Sequence, residues 1–227
     1  MGGADLIALW ISFRLAATTT LLLLLLCTPL AWWLATSASR WRVLVDAVVS
    51  LPLVLPPTVL GFYLLIILGP VSGLGRVLHW LGLPAPAFTF TGLVIGSMLY
   101  SLPFAVQPLR DAFLAVGGRA LEVAATLRAS PWNRFFTVAL PLSSRGVLTA
   151  VVLSFAHTLG EFGVVLMIGG NIPGRTQTAS IALFNHAEAL EDGAAYRLSG
   201  VLLAVCFFLL LAVYTANRRL RAAGMRA

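Results

Sequence analysis

The chain contains no lysine, and only 10% of its 227 residues are charged. Without lysine there is no phosphate-cradling G-x-x-x-x-G-K-[ST] segment, so a conventional P-loop ATPase is excluded. No serine-histidine-acid set and no H-E-x-x-H pair stands out, which speaks against a hydrolytic enzyme. The two cysteines, Cys27 and Cys206, sit inside apolar stretches. Neither has a spaced partner, so both are read as packing residues and no metal centre is expected. The basic residues form no stripe interleaved with aromatics, and a nucleic-acid partner is not expected.

What is present is apolar side chain. Hydrophobic residues make up 59% of the chain and the mean hydropathy is +0.96. A soluble domain of this size could not bury that much, so the lipid bilayer is the expected solvent. Crossing about 30 Å of hydrocarbon takes roughly 20 helical residues. Five stretches qualify, over about 15–36, 47–69, 91–114, 146–169 and 198–217. Runs such as LLLLLL at 21–26 do not resemble the short alternating strands of a membrane barrel. The expectation is an all-α integral membrane protein, a single domain over 1–227 with about five transmembrane helices. In the second stretch Pro52, Pro56, Pro57 and Gly61 should bend or break the helix.

Arginine placement sets the expected orientation. With the amino terminus outside, the inner side receives Arg40, Arg42, Arg110, Arg119, Arg128, Arg134, Arg145, Arg218, Arg219, Arg221 and Arg226. The outer side keeps Arg14, Arg76, Arg175 and Arg197, in line with the positive-inside tendency. The carboxyl terminus is then cytoplasmic. The first stretch carries Asp5 before it and no early basic cluster, so it reads as a retained anchor and not a cleaved signal.

One polar segment interrupts this pattern: EVAATLRASPWNRFFTVALP at 122–141. Residues 119–127 are strong helix formers, and Ser130 followed by Pro131 suits the start of a second helix. The corner would lie at the cytoplasmic face. It would serve either as a short helix gripped by a soluble partner or as a connector lying among lipid headgroups.

The pattern of Glu122, Ala124, then LRASPW, then Val138, Leu140 and Pro141 resembles the EAA loop of ABC-importer permeases. In that family the loop forms a coupling helix that docks on the cytoplasmic ATPase. The resemblance therefore implies a coupling role for Glu122, Ala124, Arg128, Ser130, Pro131 and Trp132. Two positions depart from the family: Val123 replaces an alanine, and Arg128 stands where the family has glycine. A left-handed turn at arginine costs on the order of 1 kcal/mol, so the corner is either strained or built differently.

LPLVLPPTVLGFYLL at 51–65 and HTLGEFGVVLMIGGNIPGRTQT at 157–178 are similar to the permease subunits of molybdate and tungstate importers. Sulfate permeases share much of this pattern but usually carry a further amino-terminal span, which favours molybdate. The resemblance implies a type I ABC-importer permease fold in the inner membrane and a homodimer with the path between subunits. It also implies two ATPase subunits that carry the ATP and magnesium, and a periplasmic oxyanion-binding protein. This chain itself would bind no cofactor.

Glu161 is the most informative single residue, because a carboxylate inside a span is costly and marks a functional position. It would repel an oxyanion, which suggests a gate or helix-positioning role. The alternative is a buried structural hydrogen bond. His157, four residues earlier on the same helix face, is placed to share a proton with it; a proton-coupled secondary transporter would use that pair as a relay. Gly160 and Gly163 would allow close helix approach. The hydroxyls of Thr158, Thr176 and Thr178 and the amides near Asn171 and Gly174 are candidate anion contacts, with a plain turn at 171–174 as the alternative.

Overall fold

The computed structural model describes residues 2–224, so Arg226 lies outside the described residues. Helix α1 (Gly3–Thr36) is followed by α2 (Trp41–Val54) and α3 (Pro57–Leu68), then by the short amphipathic α4 (Gly73–Trp80). Helix α5 (Phe90–Thr126) leads to α6 (Pro131–Arg134), a π-helical turn (Phe135–Ala139) and α7 (Leu140–Leu142). Helices α8 (Ser144–Gly160), α9 (Gly163–Gly169), α10 (Ala179–Glu188) and α11 (Asp192–Gly224) complete the chain. Among the described residues, four helical segments are long and apolar enough to cross a membrane, and a fifth arises if α6–α7 and α8, bent by 71°, count as one.

The second expected span is two helices, with Leu55 and Pro56 extended between them. Pro56 and Pro57 remove two consecutive amide donors, and a residue before proline is pushed out of the helical region. Pro52 is accommodated inside α2 and Gly61 inside α3, so neither is the breaking point.

The fourth expected span, 146–169, is corrected more substantially. Helix α8 ends at Gly160, Glu161 is extended (φ −66°, ψ 137°), and only the seven residues of α9 follow. Glu161 therefore stands at a helix end and not in mid-helix. A third interruption lies within α5, where Gly117 takes φ 73° and ψ 159°, a conformation open to glycine alone at little cost. It separates the membrane portion of α5 from the arm that carries Glu122.

Three apolar clusters hold the bundle among the described residues: one joins Ala8 and Leu9 of α1 to Ala179 and Ala182 of α10 and Leu198 of α11, and the other two bear on the site. One gathers Leu23, Cys27, Ala31 and Leu34 of α1 with Ala105, Val106, Leu109 and Phe113 of α5. The other packs Leu64 and Leu68 of α3 and Leu93 of α5 against Val164, Val165 and Ile168 of α9. Helix α11 leaves Leu203, Phe207, Phe208 and Tyr214 exposed, as a lipid-facing flank would.

At the end bearing the amino terminus, His186 of α10 bridges two carboxylates. Its Nε2 lies 2.8 Å from Asp5 and its Nδ1 2.6 Å from Glu191. Hydrogen bonding to Asp5, and then to Glu191, holds the imidazole pKa above its ordinary value.

Candidate functional site

Two structures carry the candidate residues: an elbow between α5 and α8, and a crossing of the two broken spans. The elbow begins where α5 ends. Arg128 adopts φ 58°, its N–H bonds the Ala125 carbonyl at 2.9 Å, and the Ala129 N–H bonds the Ala124 carbonyl at 3.0 Å. This is the paired closure of a Schellman motif with arginine in the left-handed position. The turn that glycine would make is thus retained with arginine, and the strained option holds.

Ser130 then caps α6, its hydroxyl accepting from the Asn133 N–H at 3.2 Å, with Pro131 at the first helical position. Ala124 is buried, whereas Glu122 and Val123 are exposed. Trp132 is 75% exposed and stacks on Phe136 at 6.0 Å, presenting a projecting aromatic face. Phe135 points the other way. It meets Trp32 of α1 edge-on at 5.3 Å and Phe113 of α5 at 5.9 Å, which ties the elbow to the bundle.

The crossing brings together residues that the sequence places a hundred positions apart. A Cβ on Gly163 would stand 2.7 Å from the Pro57 Cβ, and one on Gly61 would stand 2.7 Å from the Met167 Cβ and 3.1 Å from the Val164 Cα. Glycine therefore lets α3 and α9 touch at their breaks. Gly160 is different. Open space lies where its side chain would be, so no helix approach within the chain requires it.

Beside the crossing is a cleft of about 530 Å³, lined by Pro57, Thr58, Tyr100, His157, Glu161 and Phe162 among others. His157 and Glu161 do not pair. His157 Nδ1 lies 2.9 Å from Ser101 Oγ, its ring stacks on Phe104 at 4.1 Å, and Ser101 Oγ reaches Thr158 Oγ1 at 3.0 Å. Glu161 is 5% exposed, and both its carboxylate oxygens are buried without a hydrogen-bond partner. The Ser97 hydroxyl is likewise buried without a hydrogen-bond partner. The carboxylate oxygens are thus withdrawn from the open cleft, whose wall carries neutral groups.

Asn171, Gly174, Thr176 and Thr178 lie on the loop from α9 to α10 and do not line this cleft. Thr176 is used up within the loop, donating to the Gly169 carbonyl at 2.6 Å and accepting from the Ile172 N–H at 3.1 Å. Asn171, at φ 55°, interlocks with Asn185 and Gln177 through side-chain amides, and Gly174 turns at φ 72°. The Thr178 hydroxyl is buried without a partner.

Tyr100, Ser101, Ser97 and Phe104 surround His157 and Glu161, and the sequence reading missed all four. Their signal was a serine pair spaced by four in the apolar first half of α5, the same spacing that sets His157 from Glu161. No group of three His, Cys, Asp or Glu able to hold a metal occurs among the described residues.

The family model for binding-protein-dependent transport system inner membrane components matches residues 12–222. The molybdenum transport system permease protein ModB of Azotobacter vinelandii is 55% identical over 94% of this chain and 95% of its own length. The protein of the same name from Haemophilus influenzae is 35% identical over 91% of each. The sulfate transport system permease protein CysT of Escherichia coli is 32% identical over 84% of this chain and 68% of its own.

Among solved structures, a bacterial ABC transporter for alginate import superposes with a TM-score of 0.76 at 16% identity, covering 96% of this chain and 80% of that one. The methionine ABC transporter MetNI, captured facing inward, gives 0.75 at 13% identity, covering 96% and 99%. These two establish the fold of ABC-importer permeases. The sequence matches over nearly the whole length, joined to a capped elbow at the expected position, place this chain in the family of binding-protein-dependent transport system inner membrane components.

Proposed function

We propose that the chain is the membrane-spanning permease of a molybdate or tungstate importer. The observation that carries the substrate class is the 55% identity to a molybdenum permease over almost the full length of both chains. Sulfate is the second reading, favoured by the weaker likeness to CysT.

In this reading two copies form the path, with their clefts facing across the two-fold axis. Two cytoplasmic ATPase subunits, which carry the ATP and magnesium, dock on the exposed Trp132 and Glu122 face of the elbow. A periplasmic binding protein delivers the oxyanion from outside. The amino terminus is external and the carboxyl terminus cytoplasmic, in the inner membrane. Closure of the ATPases would draw the elbows together and rotate the bundles between two packings. The elbow's anchorage to α1 and α5 through Phe135 supports this, because a rigid link can transmit a push.

The wall of the cleft suits a dianion. Its one carboxylate is withdrawn, leaving Thr58, Tyr100 and His157 as neutral contacts. Glu161 then acts as a hinge residue at the helix end, and His157, turned to Ser101, leaves no direct proton relay between the two. The test is uptake into vesicles containing the purified permease, its ATPase and its binding protein, comparing molybdate, tungstate and sulfate. ATP-dependent uptake of molybdate or tungstate over sulfate is expected. Uptake that follows a pH gradient without ATPase would overturn the reading. Glu122→Arg should abolish capture of the ATPase while leaving membrane insertion intact.

A further inference from the structure

Two cavities meet in the angle between the end of α1 and the elbow. One, of about 220 Å³, is lined by Pro29, Trp32, Pro131, Trp132 and Phe135. The other, of about 320 Å³, is lined by Trp32, Thr36, Leu121, Pro131 and Arg134. Trp32 and Pro131 border both, so the cavities adjoin as a slot with an apolar end and a cationic end.

At the cationic end the Arg134 Nε is buried without a hydrogen-bond partner. The Thr36 hydroxyl donates to the Trp32 carbonyl and does not compensate it. No carboxylate lines either cavity, and the acid of the arm, Glu122, has its Oε1 turned toward Gly118. A guanidinium partly out of water with no anion beside it is an incomplete arrangement.

The depth of the slot names what completes it. Thr36 is the last residue of α1, and no charge occurs after Arg14 on that helix. The intervening stretch is about 33 Å long at 1.5 Å per residue, close to one hydrocarbon thickness. Arg134, beside Thr36, therefore stands at headgroup level. Pro29 lies about two turns deeper, at acyl-chain level, and the indole of Trp32 spans the boundary as interfacial tryptophans do.

We propose that this slot binds an anionic phospholipid of the cytoplasmic leaflet, its phosphate on Arg134 and an acyl chain against Pro29, Trp32 and Phe135. Charge complementarity and continuity with the bilayer select this occupant over a soluble anion. The lipid would fill the space between α1 and the elbow, reaching one edge of the Trp132 indole as well as Phe135 and leaving the exposed Trp132 face to the ATPase, and would stiffen the joint. The proposal takes from the functional reading only which leaflet is involved. Lipid binding in detergent does not depend on that, so the two can fail separately.

The experiment is native mass spectrometry of the purified chain in detergent with phosphatidylglycerol, phosphatidylcholine or glycerol phosphate added. The wild type should retain phosphatidylglycerol about tenfold more than phosphatidylcholine, the size of one charge-assisted contact. Arg134→Gln should erase that preference and Arg134→Lys should keep most of it. The thermal midpoint of each variant is read alongside, so that Arg134→Lys decides the outcome if the glutamine variant unfolds. Equal retention of the two lipids by the wild type, or an undiminished preference in Arg134→Gln, would overturn the proposal. So would displacement of the lipid by glycerol phosphate, which means a headgroup-only anion site, or by the ATPase subunit, which means a protein partner's surface.

Discussion

The elbow and the crossing both interrupt helices, yet they are held by different forces. At the elbow each interruption is closed by its neighbours in the chain: the Ala129 and Arg128 amides on α5 carbonyls, and the Ser130 hydroxyl on the Asn133 amide. At the crossing the interruptions are closed by distant residues, Gly163 on Pro57 and Gly61 on Val164 and Met167. The elbow is exposed and can be altered piecemeal. The crossing is close-packed and at least half-buried, and a single added methyl group there must displace another helix.

The largest expected effect separates the two regions most sharply. Gly163→Ala places a carbon 2.7 Å from the Pro57 Cβ, so α3 and α9 must part. Overpacking of this kind costs about 1–3 kcal/mol. A lowered thermal midpoint in detergent with unchanged ATPase capture is the expected result. Gly160→Ala, with open space at the same distance from the break, should leave the midpoint where it is. If both glycines tolerate alanine equally, the crossing is not a tight contact.

Smaller changes belong to the elbow, and they should have opposite signs. Ser130→Ala removes the cap of α6 and costs about 1 kcal/mol, read as faster amide hydrogen exchange at Asn133. Arg128→Gly relieves the left-handed arginine and should stabilise by about 1 kcal/mol, with slower exchange at the amide of Ala129. A loss of stability from the glycine variant would mean that the arginine side chain contributes more than its backbone costs.

The smallest effect lies at the opposite end of the molecule and serves as a control for both regions. The folded-state pKa of His186 is raised. The stability it contributes is therefore fully present below the ordinary imidazole pKa of about 6.5 and is lost as pH rises through the folded value. Exchange of α10 amides should quicken over that pH window, the elbow and crossing should not respond, and His186→Asn should abolish the dependence. The Asp5 and Glu191 carboxylates are the groups that face this imidazole.

The same contrast explains what could be read in advance. The caps and turn of the elbow depend on residues within a few positions of one another, and each showed in the order Glu122, Arg128, Ser130, Pro131. The proline break in the second span was equally visible, although Pro56 and Pro57 made it and Pro52 did not. The break at Glu161 was not visible. Nothing in TLGEFG forbids a continuous helix, and the hydropathy of 146–169 argues for one. The pairing of His157 with Glu161 failed for the same reason: spacing by four joins side chains only where the helix between them continues.

The sequence alone determined a helical membrane protein, the number of its apolar stretches, the family and the capped elbow, because hydropathy and capping act over one or two turns. Only the tertiary structure decided that Gly163 meets Pro57, that Ser101 takes His157, and that the Glu161 carboxylate is withdrawn from the cleft. Those contacts depend on which helices lie side by side, and packing of α3, α5, α8 and α9 settles that through groups far apart in the chain.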